Sequence, residues 1–153
     1  MRPAILFVCL GNICRSPLAE AAFRAAARDA ALDVSIDSAG TGDWHVGKPP
    51  DRRAQAVALR HGVDISALRA RQIAAADYTR FTHIFALDHA NLQAIEELAP
   101  ARADAEIALL MDVGAGQEGQ AVADPYYGED AGFDTTWADV ALAARALVER
   151  LSR

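Results

Sequence analysis

The feature that most constrains the fold is a short apolar strand followed by a polar loop and a helix. The β-forming run at residues 5–8 lies between a proline and Gly11, which predicts a fully buried strand. From Pro17 onward the apolar residues recur at helical spacing, and Ser16 before that proline suits a hydroxyl N-cap. A buried strand, a loop and a helix in this order form the first half of a βαβ unit.

The rest of the chain continues to alternate strands and helices. Further buried strands are predicted at residues 34–38, 82–87 and 107–111. Three further helices are predicted. The first is capped by Asp51 and ends near Gly62, the second ends at Pro100, and the third begins after about Asp130. This alternation predicts a small, doubly wound α/β domain, with a parallel sheet and right-handed crossovers that cover both faces.

Composition excludes several functional classes. A chain of 153 residues with 52% hydrophobic and 24% charged residues suits one globular domain with a full core. The net charge of -6 disfavours a general nucleic-acid binder, although it is compatible with a local cationic pocket. The N-terminal apolar run is too short for a membrane span and lacks a signal-peptide pattern. We therefore expect a cytoplasmic protein that binds neither nucleic acid nor membrane.

The loop after the first strand is the best candidate for a functional site. In open α/β sheets, ligands collect beyond the carboxyl ends of the strands, where a helix N-terminus offers free N–H groups. The segment at residues 9–16 has neither the Walker ending nor the Gly-x-Gly-x-x-Gly turn of nucleotide sites. Gly11 and Asn12 tolerate left-handed backbone conformations, which would curl successive N–H groups inward around an anion.

The chemistry predicted for this loop is nucleophilic attack on phosphorus. A thiol at Cys9, surrounded by N–H donors and by Arg15 six residues later, is favoured as a thiolate. The same donors suit the peripheral oxygens of a phosphate, two of which Arg15 can hold in a bidentate fork. This arrangement indicates phosphoryl transfer through a phosphocysteine. The alternatives are an inert core role for Cys9 or half of a metal site with Cys14, for which no second ligand pair is evident.

These residues resemble the low-molecular-weight protein tyrosine phosphatases. Residues 8–17 are similar to the phosphate loop of that family, which follows the form Cys-x5-Arg-Ser/Thr. Similar segments follow in order at residues 37–41, 47–50, 61–62, 69–72, 87–91 and 124–128. The resemblance implies a Rossmann-like, four-stranded parallel sheet in a single domain over residues 1–153. It also implies hydrolysis of phosphate monoesters without a metal or another cofactor.

The resemblance further assigns roles to individual residues. Cys9 would be the nucleophile and Arg15 the phosphate clamp, while Asp124 would protonate the leaving oxygen and then activate water. A carboxylic acid near the phosphate suits that role, whereas the Asp-Pro pair by itself favours a turn residue. Ser16 would hydrogen-bond the sulfur, and Asn12 and Ser38 would brace the loop. Many relatives also carry a histidine shortly before the segment that corresponds to residues 69–72. This chain has the pair Ala67-Leu68 at that place.

The expected substrate is a protein that carries phosphotyrosine, with inorganic phosphate as product. The phosphate would contact the loop residues Leu10, Gly11, Asn12, Ile13, Cys14 and Ser16. Trp44 and Tyr126 are expected to form aromatic walls of a slot too deep for phosphoserine, with Tyr127 and His45 as weaker candidates. Trp137 is expected in the core. Arg52 and Arg53 are expected on a solvated helix face, with a contribution to positive potential near the pocket mouth as the alternative.

Three other functions are compatible with parts of this pattern. A phosphoarginine phosphatase would use the same nucleophile, but such members tend to carry threonine in place of Ile13 and another aromatic after Asp-Pro. Thioredoxin-coupled arsenate reduction needs a cysteine outside the loop, whereas Cys9 and Cys14 both lie within it. A phosphate-binding regulatory module would need neither a nucleophile nor a general acid.

We also expect Cys14 to protect an oxidised Cys9 by forming a disulfide.

Overall fold

The computed structural model describes residues 2–114 and 116–153, and within them four strands form one parallel sheet. The order across the sheet is β2-β1-β3-β4. The strands are β1 (Ala4–Cys9), β2 (Ser35–Gly40), β3 (His83–Ala86) and β4 (Glu106–Leu109). This architecture confirms the predicted fold class, an α/β domain with a parallel sheet covered on both faces.

The two faces of the sheet are covered by different helices. The helices are α1 (Arg15–Asp29), α2 (Arg52–Arg60), α3 (Asp77–Arg80), α4 (His89–Leu98) and α5 (Ala131–Leu151). Side chains along β1 alternate between faces, so Ile5 and Phe7 join the core with α1, α2 and α5. Leu6 and Val8 join a second core with α3 and α4. No helix in the described ranges is long and apolar enough to cross a membrane.

The boundaries differ from prediction where tertiary contacts decide them. The fourth strand ends at Leu109 and gives way to a 3₁₀ turn over Leu110–Val113, so residues 110–111 are not strand. The second strand begins one residue later and continues to Gly40, because its last residues pair with the end of β1. The four-residue helix α3 was not predicted. The signals around α2 are confirmed, since Asp51 caps its first turn and Gly62 follows its end with a φ of 87°.

The strand order determines where a ligand site can form. The chain leaves β1 toward β2 on one side, while β3 pairs with the other side of β1. The carboxyl end of β1 is therefore the point at which the strand order reverses, which is where open α/β sheets leave a crevice. Cys9 is the last residue of β1, so the fold places this thiol at the crevice.

Candidate active site

The phosphate loop, residues 9–16, turns back over the end of β1. Asn12 takes the left-handed conformation with a φ of 59°, whereas Gly11 does not have a positive φ. Gly11 leaves room for a neighbouring side chain instead, because a Cβ there would lie 2.9 Å from Cδ2 of His45. Gly40 has a similar role, since its Cβ would lie 2.7 Å from the carbonyl oxygen of Leu10. The loop is therefore closely approached by one side chain, at Gly11, and by the backbone of Gly40.

Two hydrogen-bonding groups contact the sulfur of Cys9. The Asn12 amide donates to Sγ at 3.3 Å, and the Ser16 hydroxyl lies 3.1 Å from it. The amides of Gly11, Ile13 and Cys14 make no hydrogen bond to another group within residues 2–114 and 116–153. These free N–H groups and the N-terminus of α1 make the loop suited to an anion.

Ser16 is not the N-cap that the sequence suggested. Helix α1 begins at Arg15, its N-cap is Cys14, and no side chain caps it. The Ser16 hydroxyl is fully buried and instead lies between the Cys9 sulfur and the carbonyl oxygen of Ala39, at 3.1 and 3.3 Å. A hydroxyl at this position can stabilise negative charge on sulfur.

Asn12 holds the back of the phosphate loop. Its Nδ2 donates to the hydroxyls of Ser16 at 2.8 Å and Ser38 at 3.0 Å. Its Oδ1 accepts from the backbone amide of Arg71 at 3.0 Å. Leu68, which stands near the position of the family's histidine, packs against the hydrophobic core instead. In this chain the bracing of Asn12 therefore comes from two hydroxyls and one backbone amide.

The hydroxyl of Ser38 connects this network to a buried carboxylate. Ser38 Oγ donates to Oε1 of Glu20 at 2.8 Å, and Arg24 Nε donates to Oε2 of the same carboxylate at 2.9 Å. Glu20 is only 1% exposed. Burial raises the pKa of Glu20 above its ordinary value, against the opposing effect of the hydrogen bonds from Ser38 and Arg24.

Arg15 is held from behind by Asp88, which had no role in the sequence analysis. Arg15 is buried, and its Nη1 lies 2.7 Å from Oδ2 of Asp88 and 3.0 Å from the carbonyl oxygen of Val122. Asp88 also caps α4 by accepting from the amide of Asn91 at 2.7 Å. An aspartate directly after a strand, at the sheet edge that carries the thiol, was the available signal.

Asp124 forms a turn and also faces the pocket. Its Oδ1 accepts from the amide of Tyr126 at 3.0 Å, which is the turn geometry expected of an Asp-Pro pair. Its Oδ2 lies 3.7 Å from Nη2 of Arg15, and its side chain remains 43% exposed. The turn therefore directs the free oxygen of the carboxylate toward the guanidinium in the pocket.

An open pocket lies above the phosphate loop. Its lining residues are Cys9, Leu10, Gly11, Ile13, Cys14, Arg15, Trp44, His45, Asp124, Tyr126 and Tyr127. Asn12 and Ser16 lie behind this surface and are buried. Trp44 and Tyr127 are 68% and 93% exposed, so these rings stand at the mouth. Trp137 lies in the core and stacks on His61 at 4.6 Å between ring centroids.

The second cysteine of the loop has a different environment from the first. Cys14 is buried, and both thiols are free. Burial raises the pKa of Cys14, and the nearby charges of Asp51 and Cys9 raise it further, so this thiol stays protonated at neutral pH. Within the described residues, no group of three or more His, Cys, Asp or Glu side chains is placed to hold a metal ion.

Comparison with known proteins shows the family of this chain. Residues 4–153 match the family model described as low molecular weight phosphotyrosine protein phosphatase. The chain belongs to this family. The family's protein of that name from Schizosaccharomyces pombe is 43% identical over 84% of this chain and 84% of its own. The Homo sapiens protein of the same name is 38% identical over 96% of this chain and 94% of its own.

One structural relative carries a different substrate in its name. The crystal structure of a Drosophila arginine phosphatase has a TM-score of 0.92 and 31% identity, over 100% of this chain and 99% of its own. The family fold is therefore shared by enzymes named for different phosphorylated residues. The choice among these substrates therefore depends on the pocket and not on the fold.

Proposed function

We propose that this protein hydrolyses phosphotyrosine in proteins through a phosphocysteine intermediate. The observation that carries the proposal is the convergence of three groups on one pocket. The Cys9 sulfur accepts from the Asn12 amide at 3.3 Å, Arg15 lines the same pocket, and Asp124 lies 3.7 Å from the Arg15 guanidinium. Membership of the phosphatase family supports the same reaction.

In the first step, the free amides of the phosphate loop and Arg15 bind the peripheral oxygens of the phosphate. The Cys9 thiolate attacks phosphorus from below, and the bond between phosphorus and the tyrosine oxygen breaks. Asp124 enters this step protonated and gives its proton to the departing oxygen. Asp88 keeps Arg15 in position, through the 2.7 Å ion pair between them.

In the second step, water hydrolyses the phosphocysteine. The Asp124 carboxylate accepts a proton from the water while the water oxygen attacks phosphorus. The sulfur–phosphorus bond breaks, inorganic phosphate forms, and Cys9 leaves as a thiolate. The Ser16 hydroxyl, 3.1 Å from the sulfur, stabilises that charge. The scheme uses no metal ion or other cofactor.

The pocket walls favour an aromatic substrate. Tyr126 and Trp44 line the pocket together with His45, whose ring lies 6.5 Å from that of Tyr126, so several aromatic rings contribute to the pocket wall. The aliphatic side chain of Ile13 lines it as well. A phenyl ring gains from burial against these groups, whereas a guanidinium would lose hydration without a new hydrogen-bond partner from Ile13.

The wider setting that we propose is cytoplasmic, with a phosphotyrosine-bearing protein as partner. The net charge of -6 opposes binding to nucleic acids and to anionic membrane surfaces. The cation that the site offers is Arg15, which is buried at the pocket base and suited to a single phosphate.

The test is a substrate comparison with a matched nucleophile variant. Peptides of one sequence carrying phosphotyrosine, phosphoserine or phosphoarginine are assayed for phosphate release by the wild type and by Cys9→Ser. We expect turnover with phosphotyrosine above the other two and none with Cys9→Ser. Cys9→Ser should still bind inorganic phosphate, because the donors are largely backbone amides. Preference for phosphoarginine, or turnover by Cys9→Ser, would refute the proposal.

A further inference from the structure

The sequence suggested a solvated helix face for Arg53, but the structure does not place it there. Arg52, its neighbour in the first turn of α2, is exposed. The Arg53 side chain is only 28% exposed and makes a two-pronged ion pair with Asp51, in which Nε and Nη2 each lie 3.1 Å from a carboxylate oxygen. Its guanidinium also lies 4.6 Å from the ring centroid of Phe133 in α5.

The same guanidinium holds the acid loop, which is defined here as residues 124–130. Arg53 Nη2 donates to the carbonyl oxygen of Tyr126 at 2.8 Å, and Nη1 donates to that of Gly128 at 3.2 Å. Among the described residues, the other hydrogen bonds of residues 125–129 go to neighbours inside the loop or to the first turn of α5. Arg53 is therefore the link between this segment and α2.

The other end of the link reaches the phosphate loop. The backbone amide of Asp51 donates to the carbonyl oxygen of Ile13 at 2.8 Å. Asp51 thus contacts the phosphate loop through its backbone and Arg53 through its side chain. A chain of hydrogen bonds runs from Ile13 through Asp51 and Arg53 to Tyr126, two residues after Asp124.

We propose that Arg53 is a positioning residue for the general acid, because it sets the height of the acid loop above the phosphate loop. The inference rests on the proposed function, since it assumes that Asp124 protonates the leaving group. The planar fork of arginine is needed, because one side chain has to serve a carboxylate and two carbonyl oxygens at once. Lysine keeps the charge but cannot bond to all three groups in that geometry.

The experiment measures how fast the enzyme is phosphorylated in single turnovers. Two substrates are compared, phosphotyrosine and an aryl phosphate with a strongly electron-withdrawing ring such as dinitrophenyl phosphate. We expect Arg53→Lys to slow the reaction with phosphotyrosine by about 10- to 100-fold, as for a catalytic group displaced by about 1 Å. The activated ester should slow by less than about threefold, because its leaving group needs little help from an acid.

A double-variant cycle distinguishes positioning from general damage. If Arg53 acts through Asp124, adding Arg53→Lys to Asp124→Asn should cost almost nothing further with phosphotyrosine. Arg52→Ala is the matched control and should match wild type with both substrates. Thermal unfolding and binding of inorganic phosphate establish that each variant is folded.

Two results would overturn the inference while leaving the proposed function intact. One is equal slowing of both substrates by Arg53→Lys, and the other is full additivity with Asp124→Asn. If Arg53→Lys fails to fold, Arg53→Gln takes its place in the same cycle. A wild-type enzyme that does not release phosphate from phosphotyrosine would instead overturn the proposed function itself.

Discussion

At the scale of single residues, the site depends on groups that serve two partners at once. The Ser16 hydroxyl contacts the Cys9 sulfur and also accepts from Asn12. Asp124 closes a turn with one oxygen and faces Arg15 with the other. Because each group is held by its second partner, its orientation is fixed before substrate arrives, which in the proposed mechanism lowers the cost of reaching the transition state.

The role of Asp124 can be tested through the leaving group. Asp124→Asn retains the turn, since asparagine also accepts from the Tyr126 amide, but it has no acidic proton to give. Tyrosine leaves with a phenol pKa of about 10, so expelling it unprotonated is costly. We expect phosphorylation by phosphotyrosine to slow by about 10²- to 10⁴-fold in single turnovers, and far less with an activated aryl phosphate.

Single-turnover rates are needed because both substrates give the same phosphocysteine, whose breakdown would mask the difference in steady state. The pH dependence of the phosphorylation step should also change in Asp124→Asn. Equal slowing with both substrates would mean that the loop was damaged, and Asp124 would lose its assigned role.

Cys14 is expected to protect the nucleophile against oxidation. Peroxide converts the Cys9 thiolate to a sulfenic acid, and the buried Cys14 thiol can condense with it, forming a disulfide and releasing water. Because the pKa of Cys14 is raised, it stays a neutral thiol and is itself oxidised less readily than a thiolate. Wild type treated with mild peroxide should regain activity with a thiol reductant. Cys14→Ser should recover less, and recovery as complete as that of wild type would exclude this role.

At the scale of elements, the site is built where loops at the sheet edge meet the N-termini of helices. The phosphate loop leads into α1, the segment after β3 leads into α4, and the acid loop leads into α5. Asp88 and Asp51 cap α4 and α2, respectively, and each also pairs with an arginine. Helix capping and site assembly therefore depend on the same carboxylates.

Asp51 makes this dependence measurable as a change of stability with pH. Burial alone would raise the pKa of Asp51, but hydrogen bonds from Arg53 and the backbone lower it below the ordinary 3.8. A lowered pKa in the folded state stabilises the protein above pH 3.8, and that contribution is lost as pH falls through the folded-state pKa. Asp51→Asn keeps the helix cap but loses the charge, so it should cost roughly 1–2 kcal/mol at neutral pH.

Urea unfolding of wild type and Asp51→Asn from pH 7 down to pH 3 measures this difference. The gap in free energy of unfolding should shrink as the pH falls below the ordinary value of 3.8. A gap that is constant across the range would show that the charge on Asp51 does not stabilise the fold.

At the scale of the whole molecule, the site is connected to the core by the buried carboxylate of Glu20. Glu20 lies in α1, its partner Ser38 lies in β2, and Asn12 lies in the phosphate loop. Helix α1 also packs against α5 and the sheet in the main hydrophobic core. The charge of Glu20 therefore bears on the stability of the entire fold and not only on the loop.

The contribution of Glu20 to stability should change with pH in the opposite direction to that of Asp51. Its pKa is raised above the ordinary 4.5 by burial, so the folded state holds a proton that the unfolded state has released. The stability from this group is present below pH 4.5 and is lost as pH rises through the folded-state pKa. The free energy of unfolding of wild type, taken relative to Glu20→Gln, should therefore fall as the pH rises over that window.

Denaturant unfolding at several pH values checks this sign. Glu149→Gln, which changes an exposed carboxylate on α5, serves as the control and should run parallel to wild type. If the free energy of unfolding of wild type, relative to that of Glu20→Gln, rises with pH, the expectation is wrong.

The sequence by itself determined the fold class and the composition of the phosphate loop. Apolar runs of strand length that alternate with helical periodicity leave few arrangements other than a parallel α/β sheet, and spacing along a continuous loop is local information. The thiol, the arginine and the serine of that loop are close in the chain, so their proximity in space followed from the spacing. Asp124 was placed at the same pocket only through the family resemblance.

Tertiary structure alone decided which distant side chains hold those groups in place. Asp88 behind Arg15, Glu20 behind Ser38 and Arg53 beneath the acid loop come from separate elements, and sequence periodicity does not specify which elements meet at the sheet edge. The same applies to Ser16, whose hydroxyl fits a helix cap by local rules. The folded chain places it 3.1 Å from a sulfur, where a buried hydroxyl gains more from a charged partner than from a helix end.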